Sequence, residues 1–212
     1  MNYNNFKERC ARNNKDINDK NHFFSKYFSI YIAFICYKIR LSPNNVTFIF
    51  LIVGIAAAYT WVLGYPLLFY ILWRLHIILD MADGNLARAT SRYSKYANGF
   101  DKTNHIIINT LVIYYLSSGV HYEWLIPVMI SAFGIYYNFN RNFTTIDTSF
   151  IKNFNPTKAF MKNLLGLEGF IFIRVMIEEF QMPIVDFAVI MYIILFISIG
   201  LVKYYYMRLN DV

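Results

Sequence analysis

The chain has 212 residues, 57 % of them apolar and only 16 % charged, with 20 Phe, 18 Tyr and 3 Trp. A soluble domain carries about a quarter charged residues and disorder needs low hydrophobicity with high charge, so neither class fits; two cysteines, Cys10 and Cys36, exclude a disulfide scaffold. The apolar excess suits a lipid bilayer, and the net charge of +7 points to nucleic acid only if the basic residues share one solvent face.

Residues 1–21 are polar (Asn, Lys, Asp) and are expected to form a loose cytoplasmic tail; they lack the apolar stretch and small-residue cleavage site of a signal peptide. Residues 22–39, HFFSKYFSIYIAFICYKI, carry Lys26 and Lys38 near their ends and suit an amphipathic helix lying in the membrane interface. Six apolar runs follow: Asn45–Leu63, Tyr65–Leu79, Ile106–Val120, Trp124–Tyr137, Leu164–Ile177 and Pro183–Tyr206. Runs near 20 residues span the roughly 30 Å of bilayer hydrocarbon. The expectation is therefore an all-α integral membrane protein with six transmembrane helices, residues 22–212 forming a single membrane domain.

The basic residues orient it. Eight of the 20 Lys and Arg lie in residues 1–43, four (Arg88, Arg92, Lys95, Lys102) follow the second run, four (Arg141, Lys152, Lys158, Lys162) follow the fourth, and Lys203 and Arg208 close the tail. The two that remain, Arg74 and Arg174, lie inside runs, Lys203 falls near the end of the last run, and the three other connections hold none. Such a bias marks the cytoplasmic side and puts both termini there. It also accounts for the charge as a rim facing anionic lipid, with no nucleic-acid partner.

The second run ends in Asp80-Met-Ala-Asp83-Gly84-Asn-Leu-Ala87-Arg88. If the helix continues, residues 80, 83, 84 and 87 share one face. Ala97, Asp101 and His105, at four-residue steps, share a face at the start of the third. Ionisable groups at this depth cost several kcal/mol each unless paired, and clustered carboxylates cannot all stay ionised without a cation. Hard oxygen ligands select Mg²⁺, Mn²⁺ or Ca²⁺, and carboxylate-bound Mg²⁺ commonly also binds substrate phosphates. A phosphate-handling metal site at the cytoplasmic boundary is expected.

These residues resemble the signature of the CDP-alcohol phosphotransferase family, D-x2-D-G-x2-A-R-x8-9-G-x3-D-x3-D. Asp80, Asp83, Gly84, Ala87, Arg88 and Asp101 match it; Ala97 stands in place of the second Gly and His105 in place of the last Asp. Ser42-Pro43-Asn44-Asn45-Val46-Thr47 resembles the Pro-Asn-x-x-Thr turn that opens the first span in that family. The resemblance implies that a CDP-linked donor such as CDP-diacylglycerol gives its phosphoryl-alcohol part to a second alcohol, with CMP leaving. It implies that Asp80, Asp83, Asp101 and His105 hold two metal ions, Mg²⁺ or Mn²⁺, that Gly84 leaves room for the nucleotide, that Arg88 and Ser94 bind the donor, and that Asn44 and Thr47 hold the cytidine. His105 takes the acceptor's hydroxyl proton in this reading, a role that its ordinary pKa of about 6.5 suits. A homodimer is implied as well.

Arg141 suits recognition of an acceptor phosphate or carboxylate, or simply a cytoplasmic anchor. Arg74 lies almost two turns before Asp80 and suits a carboxylate partner; Glu168 and Asp186 suit structural pairing; Cys10 and Cys36 read as plain thiols. Two other functions compete: a degenerate family member serving as a membrane scaffold or partner subunit, and a small transporter. A transporter predicts broken helices near the midplane, whereas these carboxylates sit at one edge.

Overall fold

The computed structural model describes residues 1–12, 23–93, 97–143 and 166–210. Among them every regular element is an α-helix: α1 (Tyr3–Arg12), α2 (Phe23–Lys38), α3 (Pro43–Val62), α4 (Pro66–Thr90), α5 (Ala97–Ser117), α6 (Leu125–Phe143), α7 (Leu167–Glu179) and α8 (Val185–Asn210). The chain divides into two compact units, Met1–Leu111 and Val112–Val212.

In the first unit, α3 and α4 form the scaffold. Ser42 caps α3, its side chain accepting from the Asn45 N–H at 3.2 Å, and Pro43 takes the first helical position, where a missing N–H costs nothing. Gly64, at φ +77°, ends α3 in a left-handed turn, with the Tyr65 N–H bonded to the Thr60 carbonyl, and Pro66 starts α4 at once. This three-residue link makes α3 and α4 antiparallel neighbours. Their approach is close at Gly54, where an added Cβ would lie 2.6 Å from Ile108 Cδ1 and 3.0 Å from His76 Nδ1. The His76 ring is fixed there by a 2.9 Å hydrogen bond to the Phe50 carbonyl.

Helix α2 packs on α4, and Asn85 of α4 donates to Ser29 of α2 at 3.0 Å. The tail is not loose over Tyr3–Arg12. It forms α1, with Phe6 and Cys10 buried one turn apart, because that i, i+4 pair gives an otherwise polar segment a docking stripe. Phe6 meets Phe34 and Tyr37 of α2, and the Cys10 thiol donates to the Asn85 carbonyl at 3.4 Å. Residues 13–21 lie outside the described residues.

In the second unit, α6 and α7 each pack on α8. Phe196 is the hub, edge-on to Phe133 and stacked 4.9 Å from Tyr136. Arg174 is buried and donates to the carbonyls of Leu116 (2.6 Å) and Ser118 (3.4 Å), so its charge meets the negative end of α5. Asp186 accepts from the His121 N–H at 2.8 Å, in line with the structural pairing expected of it.

Each of the six apolar runs has a helix along most of its described length, with turns or bends at several run ends, and the fifth is helical from Leu167. Two helices, Pro43–Val62 and Val185–Tyr205, are long and apolar enough to cross a membrane. Their outer faces are apolar too. On α3 the buried residues Val46, Phe50, Gly54, Ala57 and Trp61 are matched by exposed Phe48, Ile52, Ile55, Tyr59 and Val62. A helix facing water carries polar residues on that side.

Candidate active site

Helix α4 does continue unbroken through the motif to Thr90, and α5 begins at Ala97 as the four-residue steps predict. Asp80 and Asp83 therefore leave α4 nearly one turn apart, and Asp101 and His105 leave α5 one turn apart. The structure brings three of these four side chains together. His105 Nε2 lies 3.2 Å from Asp80 Oδ1 and 3.3 Å from Asp101 Oδ1. One ligand atom from each of Asp80, Asp101 and His105 lies within 4.8 Å of the others, and all three residues are half-buried.

Asp83 does not join that set. Its Oδ2 accepts a 2.6 Å hydrogen bond from the buried Thr47 hydroxyl, which also lies 3.1 Å from the Pro43 carbonyl. Asp83 is still near enough to Asp80 and Asp101 to feel both charges. The Pro-Asn-x-x-Thr turn and the motif carboxylates thus meet through one hydroxyl–carboxylate bond. Asn44, by contrast, is exposed.

Two contacts fix α5 beside this pair. Asn104, buried and unremarked in the sequence, donates to the Thr47 carbonyl at 3.5 Å. The Phe50 ring lies against His105 at 6.0 Å between centroids. Asn104 is legible only through its place between Asp101 and His105, since an amide carries no charge to mark it.

Gly84 and Arg88 act as a pair. A Cβ on Gly84 would meet the Arg88 guanidinium at 3.3–3.6 Å, so the room left by this glycine is filled by Arg88. Arg88 donates to Asn85 Oδ1 at 2.9 Å, while its buried Nε has no hydrogen-bond partner among the described residues. Arg74 donates to Ser25 of α2 at 2.9 Å. Ser94 lies outside the described residues, as does the side chain of Arg141.

Two carboxylates and an imidazole at this separation can hold a divalent ion, and the mixed oxygen and nitrogen donors suit Mn²⁺ or Zn²⁺ as well as Mg²⁺. The same geometry offers a second possibility. A protonated imidazole placed between two carboxylates balances them as an ion pair would. His105 presents one nitrogen to both partners, so that atom serves as metal ligand, proton acceptor or bridging cation, one role at a time.

No protein-family model, curated protein or solved structure matches this chain. The family resemblance stands on the motif residues themselves.

Proposed function

We propose that this chain is a multi-pass membrane transferase of the CDP-alcohol phosphotransferase type. In this reading its six apolar helices cross the bilayer, both termini lie in the cytoplasm, and the site opens on that side. The observation that carries the reading is the meeting of Asp80, Asp101 and His105, with Asp83 tied to Thr47 beside them. Motif residues from α4 and α5 and the turn opening α3 converge on one locus, at an end of the apolar runs where charge would otherwise be costly.

The reaction has few parts. The acceptor's hydroxyl oxygen attacks the phosphorus that bears the donor's alcohol. The phosphorus–oxygen bond to CMP breaks, and CMP leaves as a phosphate anion. His105 Nε2 accepts the hydroxyl proton, and Asp80 and Asp101 orient the ring. Thr47 holds Asp83 in place. Arg88, with an unsatisfied buried N–H, contributes a cation toward donor phosphate. Mg²⁺ or Mn²⁺ held by Asp80 and Asp101, with His105 left free as the base, would neutralise diphosphate charge as a Lewis acid. CDP-diacylglycerol fits best as donor, because a site between membrane helices admits a lipid sideways.

A second reading has a specific observation behind it: His105 already bridges Asp80 and Asp101. If that ion pair replaces the metal, the chain is a catalytically silent relative acting as a scaffold or partner subunit. One assay separates the two. Purified protein is given labelled CDP-diacylglycerol, a panel of alcohols and Mg²⁺ or Mn²⁺, and CMP release is measured. The transferase reading expects release by the native chain, its abolition by EDTA and by Asp101→Asn, and loss in His105→Ala with recovery in His105→Asp. A native chain that stays silent while His105→Asp releases CMP establishes the scaffold reading instead.

A further inference from the structure

A second feature lies at the far end of α4, outside the carboxylate cluster. An open cavity of about 1150 Å³ is walled by α1, the end of α2 and the end of α4. Thr90, the last helical residue of α4 and part of its wall, lies about 15 Å along the axis from Asp80. Four cationic side chains line this cavity, Arg9, Lys38, Arg40 and Arg92, against one carboxylate, Glu8. Lys38 rests over the Phe34 ring at 5.3 Å. Arg9, Arg40 and Arg92 make no ion pair among the described residues. Like charges gathered in a concavity repel one another and focus a positive potential into it.

The backbone adds an independent observation. Helix α2 ends with the Leu41 N–H bonded to the Cys36 carbonyl and the Arg40 N–H to the Tyr37 carbonyl, leaving Arg40 in the left-handed region at φ +62°. Glycine is the usual residue at that position because it alone has no Cβ to crowd the turn. Here a long cationic side chain occupies it and faces the cavity.

We propose that this basin binds a phosphate-bearing anion, gripped by Arg9, Lys38, Arg40 and Arg92. Guanidinium forks match phosphate oxygens two at a time, and ammonium adds a point charge. The shared ligand chemistry is a phosphate group with more than one ionised oxygen, borne either by a soluble phosphate ester or by a lipid headgroup. The site does not depend on the transferase reading, since neither its residues nor its test involves the carboxylate cluster.

The test uses full-length protein in neutral detergent. Inorganic pyrophosphate probes the soluble source by calorimetry, and short-chain phosphatidic acid probes the lipid source, with short-chain phosphatidylcholine as its control. Saturable binding of either phosphate probe, but not of the control, is expected, and which probe binds identifies the source. Arg40→Gly removes the guanidinium and gives the turn its favoured residue, so it should weaken binding about tenfold or more without lowering the melting temperature. Arg9→Gln/Arg92→Gln, changing two exposed side chains, should weaken binding further still. The site is disproved if neither probe saturates, or if Arg40→Gly and the double variant both bind as the native chain does.

Discussion

His105 stands where two carboxylates converge, while the third motif carboxylate is held by a threonine from another helix. That division makes Thr47 the side chain through which the opening turn of α3 acts on the site. Thr47→Val keeps the shape and removes the donor, leaving Asp83 without its 2.6 Å bond. Thr47 and Asp83 form a hydrogen-bonded pair beside the residues that would hold the metal, and outer groups of this kind are worth about 10–100-fold; a loss of CMP release in that range is expected, with unchanged melting temperature as the control. Residue chemistry also predicts an inert thiol. Burial pushes Cys10 up to about 11, outweighing the nearby Arg88 charge that pulls it down. Near neutral pH the reactive thiolate is then about 100-fold scarcer than for an unburied thiol. Alkylation of Cys10 should be slow in the folded protein, rise only in strong alkali, and become fast on denaturation. Mass-spectrometric labelling rates check this, and fast labelling at neutral pH would show that α1 undocks.

At the scale of elements, the α3–α4 hairpin was plain in the sequence. Gly64-Tyr65-Pro66 interrupts an apolar stretch with a helix stop followed by a helix start. The run Asp80–Arg88 and the steps 97, 101, 105 likewise placed their residues on the right helices. Spacing along a helix decides which residues share a face, and it carried the reading that far. It did not decide which facing side chains meet, so Asp83 turning to Thr47 rather than to His105 was not legible. Helix α1 was missed because its docking stripe is only Phe6 and Cys10 within a run of polar residues. Gly54, unremarked among apolar neighbours, is a point where side chains of α4 and α5 press close against the α3 backbone. Gly54→Ala drives a methyl to 2.6 Å from Ile108 Cδ1 and 3.0 Å from His76 Nδ1. Overpacking of this kind costs about 1–3 kcal/mol, so a lowered melting temperature is expected. Ile108→Val deletes the offending Cδ1, and Gly54→Ala/Ile108→Val should regain part of the loss. No penalty for the single change would mean that α5 can slide away from α3.

For the whole molecule, the decisive signal is an apolar surface outside an apolar core. Exposed Ile52, Tyr59 and Val62 line one side of α3, and Phe187, Ile194 and Leu201 line one side of α8. Water does not favour such stripes at this size, and lipid does. The six runs were legible as helices. Only two of the described helices are long and apolar enough to cross a membrane by themselves. The 25 residues of α4 are long enough, but Arg74, His76, Asp80, Asp83 and Arg88 make them polar, while the 13 residues of α7 reach only about 20 Å. For the proposed topology, the basic residues are what support sidedness, because Lys and Arg flanking short loops stay in the cytoplasm. Glu123, exposed between α5 and α6, then lies outside, and Arg92, exposed after α4, lies inside. In a Cys10→Ala/Cys36→Ala background, Glu123→Cys should react with an impermeant maleimide in intact cells. Arg92→Cys should react only after the membrane is opened. Labelling of Arg92→Cys in intact cells would reverse the orientation and put the carboxylate cluster on the wrong side for a cytoplasmic nucleotide donor. Equal labelling of both before and after opening would remove the membrane from the account altogether.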